Sequence, residues 1–335
     1  MSPTEQTKYH AKAPVRLDFA GGWTDVPPFS LREGGMVVNA AIQLMAHADL
    51  TLGGTSTVLH AQDLNEALTL RGPVDLVMNG RLDLLKAGLR MFPVGHCTLV
   101  TRSDAPPGSG LGSSGALDVA LVTVLSRARR EQLDPFELAE LAWCLEVEEA
   151  GIAGGRQDQC ASALGGFQLL GFQDPGMTAE RLELDPAFME ELERRIVLCY
   201  TGTSRISGTT IARVIEGYER GDRKITGAFR AMKELACAMA EALRAADMNR
   251  VGALLSQNWL RQQELDPIMR TDEMARLEDA MVAEGVLGGK AAGSGAGGSM
   301  FFLAAGDPAP ARRAAQEAGA QLLPVRWCHE GVASW

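Results

Sequence analysis

The segment that most constrains this chain is a glycine- and serine-rich run between a short predicted strand and a predicted helix. Residues 106–115 read Pro-Pro-Gly-Ser-Gly-Leu-Gly-Ser-Ser-Gly, and the apolar spacing after them predicts a helix over about 112–130. Alternating glycines let the backbone pass close to a ligand, and a helix that begins there presents unpaired N–H groups and a positive dipole end. The run therefore predicts an anion site, most simply for the phosphates of a nucleotide.

Other interpretations use the same pattern. A tight glycine turn with a serine helix cap explains many such turns, but the density of glycine and serine here favours a ligand. Gly110, Gly112 and Gly115 have the spacing of a dinucleotide fold, yet that fingerprint follows its strand directly, and here two prolines intervene. The GxxxxGK[ST] form of a phosphate loop is absent from the sequence. A phosphate loop of a different type is the interpretation we keep.

Composition narrows the class of protein. The 335 residues carry 42 acidic and 32 basic side chains, a formal net charge of −10, and 46% are hydrophobic. Because nucleic acids and anionic membranes attract positive surfaces, we expect neither as a partner. The N-terminal residues lack the apolar run of a secretory signal, and no apolar stretch has membrane-spanning length. The six cysteines are scattered and lack the spacing of a disulfide framework or of metal ligands. We therefore predict a cytoplasmic protein with reduced thiols.

Strand-like and helix-like patterns mix without regular alternation, which predicts an α+β fold. The predicted strands cover residues 13–20, 36–42, 47–52, 97–101, 167–172, 195–201, 300–304 and 321–326. The predicted helices cover residues 112–130, 135–150, 157–164, 207–218, 224–246, 251–263, 272–284 and 309–318. The turn-rich, poorly apolar stretch 173–185 is the predicted boundary between domain 1–185 and domain 186–335.

Three segments together resemble the motifs of the GHMP kinases, the family of galactokinase, homoserine kinase, mevalonate kinase and phosphomevalonate kinase. The run at 106–115 resembles the family's phosphate loop, and the other two motifs follow the family's order at residues 13–25 (APVRLDFAGGWTD) and 289–298 (GKAAGSGAGG). The resemblance extends over nearly the whole chain. It implies a ribosomal-protein-S5-like N-terminal domain, a ferredoxin-like C-terminal domain and magnesium-dependent use of ATP. The implied ATP contacts are Pro107, Gly108, Ser109, Gly110, Leu111, Gly112, Ser113 and Ser114.

Acidic residues after the phosphate loop supply the implied chemistry. Asp158 follows a glycine turn at a predicted helix start, where backbone amides would hold a carboxylate ionised; a plain helix cap is the alternative. By resemblance Asp158 is the catalytic aspartate, which accepts the substrate hydroxyl's proton or steers that hydroxyl electrostatically. The family's magnesium-binding glutamate matches Glu146 best by spacing, Glu149 is the alternative, and a solvated acidic face is the default for such a pair. Ser114 is the matching hydroxyl ligand.

Residues of the first and third motifs are expected around the substrate. Arg16 lies in a predicted apolar strand, where an unpaired guanidinium would be costly. It could pair with Asp18 or another core acid; the resemblance implies that it lies beside Asp158 and the transferred phosphate. Asp25 matches an aspartate that binds sugar hydroxyls, a task that suits a carboxylate because it accepts several hydrogen bonds. The other residues assigned to the substrate by resemblance are Trp23, Thr24, Gly155, Arg205, Gly295 and Ala296.

Several segments indicate a subfamily. Residues 21–28, 155–159, 200–205 and 258–259 resemble the D-glycero-D-manno-heptose 7-phosphate kinases, which phosphorylate the anomeric hydroxyl of a sugar phosphate. Arg205 and Lys290 are candidates for binding the substrate's own phosphate, although Lys290 could equally be a helix-end lysine. Trp23 replaces the expected glycine, and its segment resembles the kinase half of L-fucokinases, which act on a free sugar. The predicted function is an ATP-dependent sugar kinase, with a free-sugar kinase and a catalytically silent sugar sensor as alternatives, and a homo-oligomer stays open.

Overall fold

The computed structural model describes residues 7–174, 176–202 and 208–335. Over these residues the chain forms two β-sheets with helices packed against them. The strands are β1 (Lys8–Ala20), β2 (Gly35–Leu52), β3 (Thr57–Ala61), β4 (Glu66–Leu70), β5 (Cys97–Ser103), β6 (Phe167–Gln173), β7 (Gly176–Arg181), β8 (Ile196–Tyr200), β9 (Gly288–Ala291), β10 (Ser299–Leu303), β11 (Gln321–Leu323) and β12 (Ala333–Ser334).

The α-helices are α1 (Phe29–Glu33), α2 (Asp83–Met91), α3 (Ser113–Ala128), α4 (Pro135–Cys144), α5 (Gln157–Leu164), α6 (Pro186–Arg195), α7 (Gly208–Glu219), α8 (Arg223–Arg244), α9 (Met248–Gln263), α10 (Asp272–Ala283) and α11 (Ala309–Glu317). Pro73–Leu76 and Pro267–Met269 form short 3₁₀ turns, and Leu145–Glu149 forms a π-helical turn. No helix in the described ranges combines the length and the apolar character needed to cross a membrane.

The first sheet has eight strands and carries the N-terminal motif. Its order is β12-β1-β2-β5-β3-β4, and β6 pairs with β2 and with β7. The strand β1 is buried from Ala13 to Ala20 because helices α3, α5, α8 and α9 all pack on it. Polar side chains in this stretch, Arg16 and Asp18, therefore have to find partners inside the protein.

The second sheet is antiparallel and has the order β11-β8-β10-β9. Its aromatic residue Phe301 touches Phe19 of the first sheet, at 5.4 Å between ring centroids, so one apolar core runs between the two sheets. The last residues return to the first sheet, where Ala333–Ser334 pair with β1 and Trp327 bridges to Ile42. The domain boundary at 185/186 stays a prediction.

Every predicted strand and helix has a counterpart in the structure. The predicted strands 36–42 and 47–52 are, however, one continuous strand, β2. Residues 43–46 between them continue the strand, and this part of it also bonds to the C-terminal segment: Gln43 N–H donates to the carbonyl of Arg326 at 2.8 Å. The strands β3, β4, β7, β9 and β12 and the helix α1 were not predicted, since each is too short to show a clear period. The helices α2 and α6 were also not predicted.

Candidate active site

A cavity of about 420 Å³ lies where the first sheet, the 106–115 run and the glycine-rich segment before β10 meet. It is lined by Arg16, Asp18, Gly22, Trp23, Asp25, Val26, Gly108, Gly110, Gly112, Ser113, Ser114, Glu146, Ile152, Ala153, Gly154, Gly155, Gln157, Asp158, Ile211, Gly293 and Ser294. All three sequence motifs reach this wall. A larger cavity of about 1010 Å³, between the end of β4, helix α2 and the segment 93–96 before β5, has no carboxylate among its described lining residues. The smaller cavity is the candidate active site, because titratable side chains converge there.

The phosphate loop has the backbone that the sequence predicted. Gly108, Gly110 and Gly112 have φ of 66°, 71° and 75°, a left-handed conformation that side chains rarely adopt. Helix α3 begins directly after Gly112, so its free N–H groups lie at the cavity. The loop is anchored to the second sheet, where Ser299 N–H donates to the Ser109 carbonyl at 2.7 Å. A Cβ at Gly293 would overlap the Gly110 carbonyl, so this approach needs glycine.

Arg16 and Asp158 form an ion pair at the cavity wall. The Arg16 Nε and Nη2 atoms lie 2.8 and 2.7 Å from Asp158 Oδ1. The remaining terminal nitrogen, Nη1, donates to the carbonyls of Gly110 at 2.8 Å and Ala292 at 3.2 Å. Of the two partners considered from sequence, Arg16 thus pairs with Asp158 and not with Asp18. This one guanidinium joins β1, the phosphate loop, helix α5 and the third motif.

Glu146 is placed by an irregularity in its helix. The predicted helix 135–150 is α-helical only to Cys144 and continues as the π-helical turn, a feature that is frequent at functional sites. Ser114 Oγ donates to Glu146 Oε1 at 2.7 Å, and Gln159 Nε2 donates to Oε2 at 2.7 Å. Burial raises the pKa of Glu146 to about 7, against the lowering effect of the Ser114 hydrogen bond. Glu149 instead lies 3.4 Å from Arg90, so geometry favours Glu146 as the partner of Ser114.

Asp25 is an almost completely buried acid of the cavity wall. Its Oδ2 accepts a hydrogen bond from the Gln157 backbone N–H at 3.1 Å, and the Gln157 side chain reaches Oδ1 at 3.4 Å. Burial raises the pKa of Asp25 to about 6, and the negative charge of Asp158 adds to the effect. Gly155 packs directly on this carboxylate. A Cβ at residue 155 would overlap Asp25 Oδ2, so this close packing needs glycine.

Trp23 lines the cavity in an unusual backbone conformation. Its φ is 77°, which explains why a glycine was expected at this position. The indole Nε1–H donates to the Ser294 carbonyl at 3.2 Å and so links the first and third motifs. Its neighbour Thr24 is fully buried and off the cavity wall, because its hydroxyl donates to the Gly21 carbonyl at 2.6 Å and accepts from the Met36 N–H at 3.0 Å.

Other predicted substrate residues lie elsewhere. Gly295 and Ala296 are absent from the cavity wall; Ala296 N–H donates to the Met269 carbonyl at 2.8 Å, and Gly293 and Ser294 take their place at the cavity. Arg205 lies outside the described residues. Lys290 is neither at a helix end nor at the cavity, because it is a buried residue of β9 whose Nζ donates to Asp18 Oδ2 at 2.8 Å.

Sequence reasoning missed Asp18, Gln157 and Gln159 as site residues. The segment 157–159 reads Gln-Asp-Gln, and both glutamines have a role: Gln157 donates to Asp25 and Gln159 donates to Glu146, on either side of Asp158. A polar residue in an otherwise apolar strand was the available signal for Asp18. Among the described residues of the wall, Asp18, Asp25, Glu146 and Asp158 are acidic and only Arg16 is a cation.

A phosphate loop, a hydroxyl–carboxylate pair and an acid held by a guanidinium, all on one cavity, define the class of a nucleotide-dependent phosphotransferase. Comparison with known proteins is more specific. The family model "GHMP kinases N terminal domain" matches residues 77–166, and "GHMP kinases C terminal" matches residues 239–321. The chain belongs to the GHMP kinase family and is an ATP-dependent phosphotransferase.

Relatives of two kinds are similar over most of the chain. D-glycero-alpha-D-manno-heptose 7-phosphate kinase of Campylobacter jejuni is 31% identical over 97% of this chain and 98% of its own length. The bifunctional fucokinase/GDP-fucose pyrophosphorylase of Arabidopsis thaliana is 29% identical over 87% of this chain and 29% of its own length. A solved D-glycero-D-manno-heptose 1-phosphate kinase from Bacteroides thetaiotaomicron has the same fold, with a TM-score of 0.79, 24% identity and 98% of each chain covered. The predicted two-domain α+β GHMP kinase fold is confirmed.

Proposed function

We propose that this chain transfers the terminal phosphoryl group of ATP to a hydroxyl, the anomeric one, of a seven-carbon sugar phosphate. The observation that carries the proposal is that Asp25 and the Arg16–Asp158 pair share one cavity with the phosphate loop. A sugar bound by Asp25 can therefore present a hydroxyl to Asp158 and to a nucleotide at once. The heptose phosphate class is supported by the similarity to the Campylobacter enzyme over nearly the full length of both chains.

Asp158 is the residue proposed to act on the substrate hydroxyl. Both Arg16 contacts go to Oδ1, which leaves Oδ2 for the hydroxyl. The carboxylate either accepts the proton as the oxygen attacks phosphorus or orients the hydroxyl for attack. Arg16 fixes the carboxylate, and its positive charge lies where negative charge gathers on the transferred group. The loop amides at the start of α3 hold the nucleotide phosphates.

We propose Ser114 and Glu146 as the protein ligands of the magnesium ion. Their side chains already meet at 2.7 Å and offer two oxygen donors. The described residues hold no group of three or more acidic, histidine or cysteine side chains around one point, but magnesium commonly takes one or two protein oxygens beside phosphates and waters. The pair therefore fits the ion. When bound, magnesium neutralises phosphate charge beside the acidic wall.

The larger cavity is proposed to take the adenine ring. Its wall includes the apolar side chains of Leu70, Val77 and Met78, which suit a flat purine. Arg90 of the same wall contacts Glu149 at 3.4 Å, three residues after Glu146, so this cavity borders the π-helical turn of the active site.

The chain's cysteines are free thiols, which supports action in a reducing cytoplasm.

A kinase of a free sugar is the second candidate. The observation in its favour is the charge of the cavity wall, whose described residues include one cation, Arg16, already engaged by Asp158. A substrate phosphate would need a further cation, for which Arg205 is the candidate from sequence.

The first experiment measures ADP release with ATP and magnesium across free sugars and sugar phosphates, including heptose 7-phosphate and L-fucose. Turnover confined to a sugar phosphate, with a KM raised by Arg205→Gln but not by the exposed control Arg213→Gln, supports the proposal. Turnover of a free sugar supports the second candidate. Silence across the panel refutes both and revives the sensor hypothesis.

A further inference from the structure

Among the carboxylates on the described part of the cavity wall, Asp25, Glu146 and Asp158 have proposed roles and Asp18 has none. It lies on β1 two residues after Arg16, and its side chain is 1% exposed. The ammonium of Lys290 donates to Asp18 Oδ2 at 2.8 Å and to the Asp18 carbonyl at 2.6 Å. Both side chains of this ion pair are buried, and they join β1 of the first sheet to β9 of the second. The two Lys290 hydrogen bonds therefore fix the position of this carboxylate at the cavity wall.

The second oxygen of Asp18 is unsatisfied. Oδ1 is buried and accepts no hydrogen bond from any described residue. A buried acceptor without a donor is destabilising, and an ionised one more so. Lys290 has two of its three donors directed at Asp18 through Oδ2 and the carbonyl, so the pair alone does not satisfy Oδ1. An unsatisfied acceptor at the wall of a binding cavity suggests that the ligand supplies the hydrogen-bond donor.

The position of Asp18 on the wall suggests the nature of that donor. Gly22 packs on the Asp18 carboxylate, since a Cβ there would overlap Oδ2, and Gly22 also lines the cavity beside Trp23. Asp18 is close enough to Asp25 for its charge to contribute to the raised pKa of that residue. Asp25 is the proposed sugar-binding acid. A ligand that spans both acids needs at least two hydrogen-bond donors, which the hydroxyls of a sugar supply.

We propose that Asp18 is a substrate-binding residue that accepts a hydrogen bond from a second sugar hydroxyl through Oδ1, while Lys290 positions its carboxylate. The inference rests on the proposed sugar-kinase function and adds a specificity determinant to it. A site built to receive a hydroxyl discriminates strongly against a sugar that lacks it, because the acceptor is then left unpaired. Asp18 and Asp25 together select a sugar by two hydroxyl positions.

The competing explanation is that the Asp18–Lys290 pair only fixes the two sheets together. Buried ion pairs can often be replaced by apolar side chains of similar volume without loss of stability, whereas removal of one partner leaves a buried unpaired charge. The charge-balanced double variant Asp18→Leu/Lys290→Met therefore separates the two roles. It removes the acceptor oxygen but restores a neutral, filled contact between β1 and β9.

The test compares wild type, the two single variants and the double variant in urea unfolding and in ADP-release kinetics with the sugar found by the panel. We expect the double variant to regain most of the unfolding midpoint lost in the single variants. Its KM for the sugar should stay raised about tenfold to a hundredfold, the range for a hydrogen bond to a charged group, with the KM for ATP within about twofold of wild type. A wild-type KM for the sugar in the double variant overturns the inference.

Monodeoxy analogues of the same sugar identify the hydroxyl. With wild type, one deoxy analogue should have a lower kcat/KM than the parent sugar. With the double variant, the same analogue and the parent sugar should have equal kcat/KM values. Asp18→Asn, which keeps the side-chain volume, repeats this comparison if the double variant does not fold. Equal discrimination by wild type and variant for every analogue overturns the inference, whereas a wild type inactive on every sugar refutes the sugar-kinase proposal itself.

Discussion

Replacement of Asp25 by Asn should make the protein more stable and the enzyme worse. Burial raises the pKa of Asp25 from 3.8 to about 6. Because the folded protein then holds this proton more tightly than the unfolded chain, stability falls as the pH rises from about 4 to about 6 and stays low above that. The difference between the two pKa values corresponds to about 3 kcal/mol at pH 8 and about half of that at pH 5. Asp25→Asn removes this cost.

Urea unfolding of wild type and Asp25→Asn at pH 8 and pH 5 measures the effect. We expect the variant to be more stable at pH 8 by up to about 3 kcal/mol, with the advantage roughly halved at pH 5. The amide keeps one oxygen for the Gln157 N–H, so the local hydrogen bond survives. A variant that is less stable than wild type at pH 8, or a difference that does not change with pH, refutes the reasoning.

The same residue should set an acidic limb in the activity of wild type. If sugar hydroxyls bind the ionised form of Asp25, kcat/KM for the sugar, measured at saturating magnesium so that the metal keeps Glu146 ionised, should be about tenfold lower at pH 5 than at pH 8, since pH 5 lies one unit below the Asp25 pKa of about 6. Asp25→Asn should have a lower kcat/KM at pH 8 and lack this limb. An identical pH profile in both proteins would assign the limb to another group.

Three further substitutions test the site. Glu146→Gln should raise the half-saturating magnesium concentration in ADP-release assays about tenfold or more, while the matched control Glu149→Gln changes it less than about twofold; equal effects would remove Glu146 from the magnesium site. Asp158→Asn should lower kcat at least about a hundredfold with little change in ATP affinity by calorimetry, and near-normal turnover would contradict its catalytic role. Gly155→Ala should raise the KM for the sugar about tenfold because its Cβ overlaps a buried carboxylate, whereas Gly227→Ala, with open space at its Cβ, is the control; an unchanged KM in Gly155→Ala would show that this wall yields.

The sequence was sufficient for the parts of the fold that local chemistry specifies. Glycines at 108, 110 and 112 predicted a close-approach loop, and each has the left-handed backbone that makes glycine necessary. A guanidinium in an apolar strand required a buried acceptor, and Arg16 has three. Long helices with a clear apolar stripe, such as α8, were predicted to within two residues at each end. In each case the cause acts within a few residues of the signal.

The points that the sequence left open or placed differently from the structure concern contacts that join distant segments. Thr24 carries a hydroxyl beside a predicted sugar-binding aspartate, but its donors and acceptors are used by the turn that it closes. Lys290 lies in a glycine-rich segment, which hid that it is on a strand facing Asp18, 272 residues earlier in the chain. The choice between Glu146 and Glu149 depended on a π-helical turn, which no periodicity reveals because it changes the helix by one residue.

The charge balance of the cavity reconciles an acidic protein with an anionic nucleotide. A net charge of −10 argued against polyanion binders, and the described wall of the site is itself acidic, with Arg16 facing four carboxylates. Triphosphate can bind there because α3 directs backbone N–H groups at it and because a divalent cation would offset the carboxylates. Burial raises the pKa of Asp25 and of Glu146, and the negative charge of Asp158 adds to both shifts, so this wall carries unfavourable charge that a cation and hydroxyl donors would relieve. The acids that weaken the free protein are thus the groups that we propose to bind magnesium and the sugar.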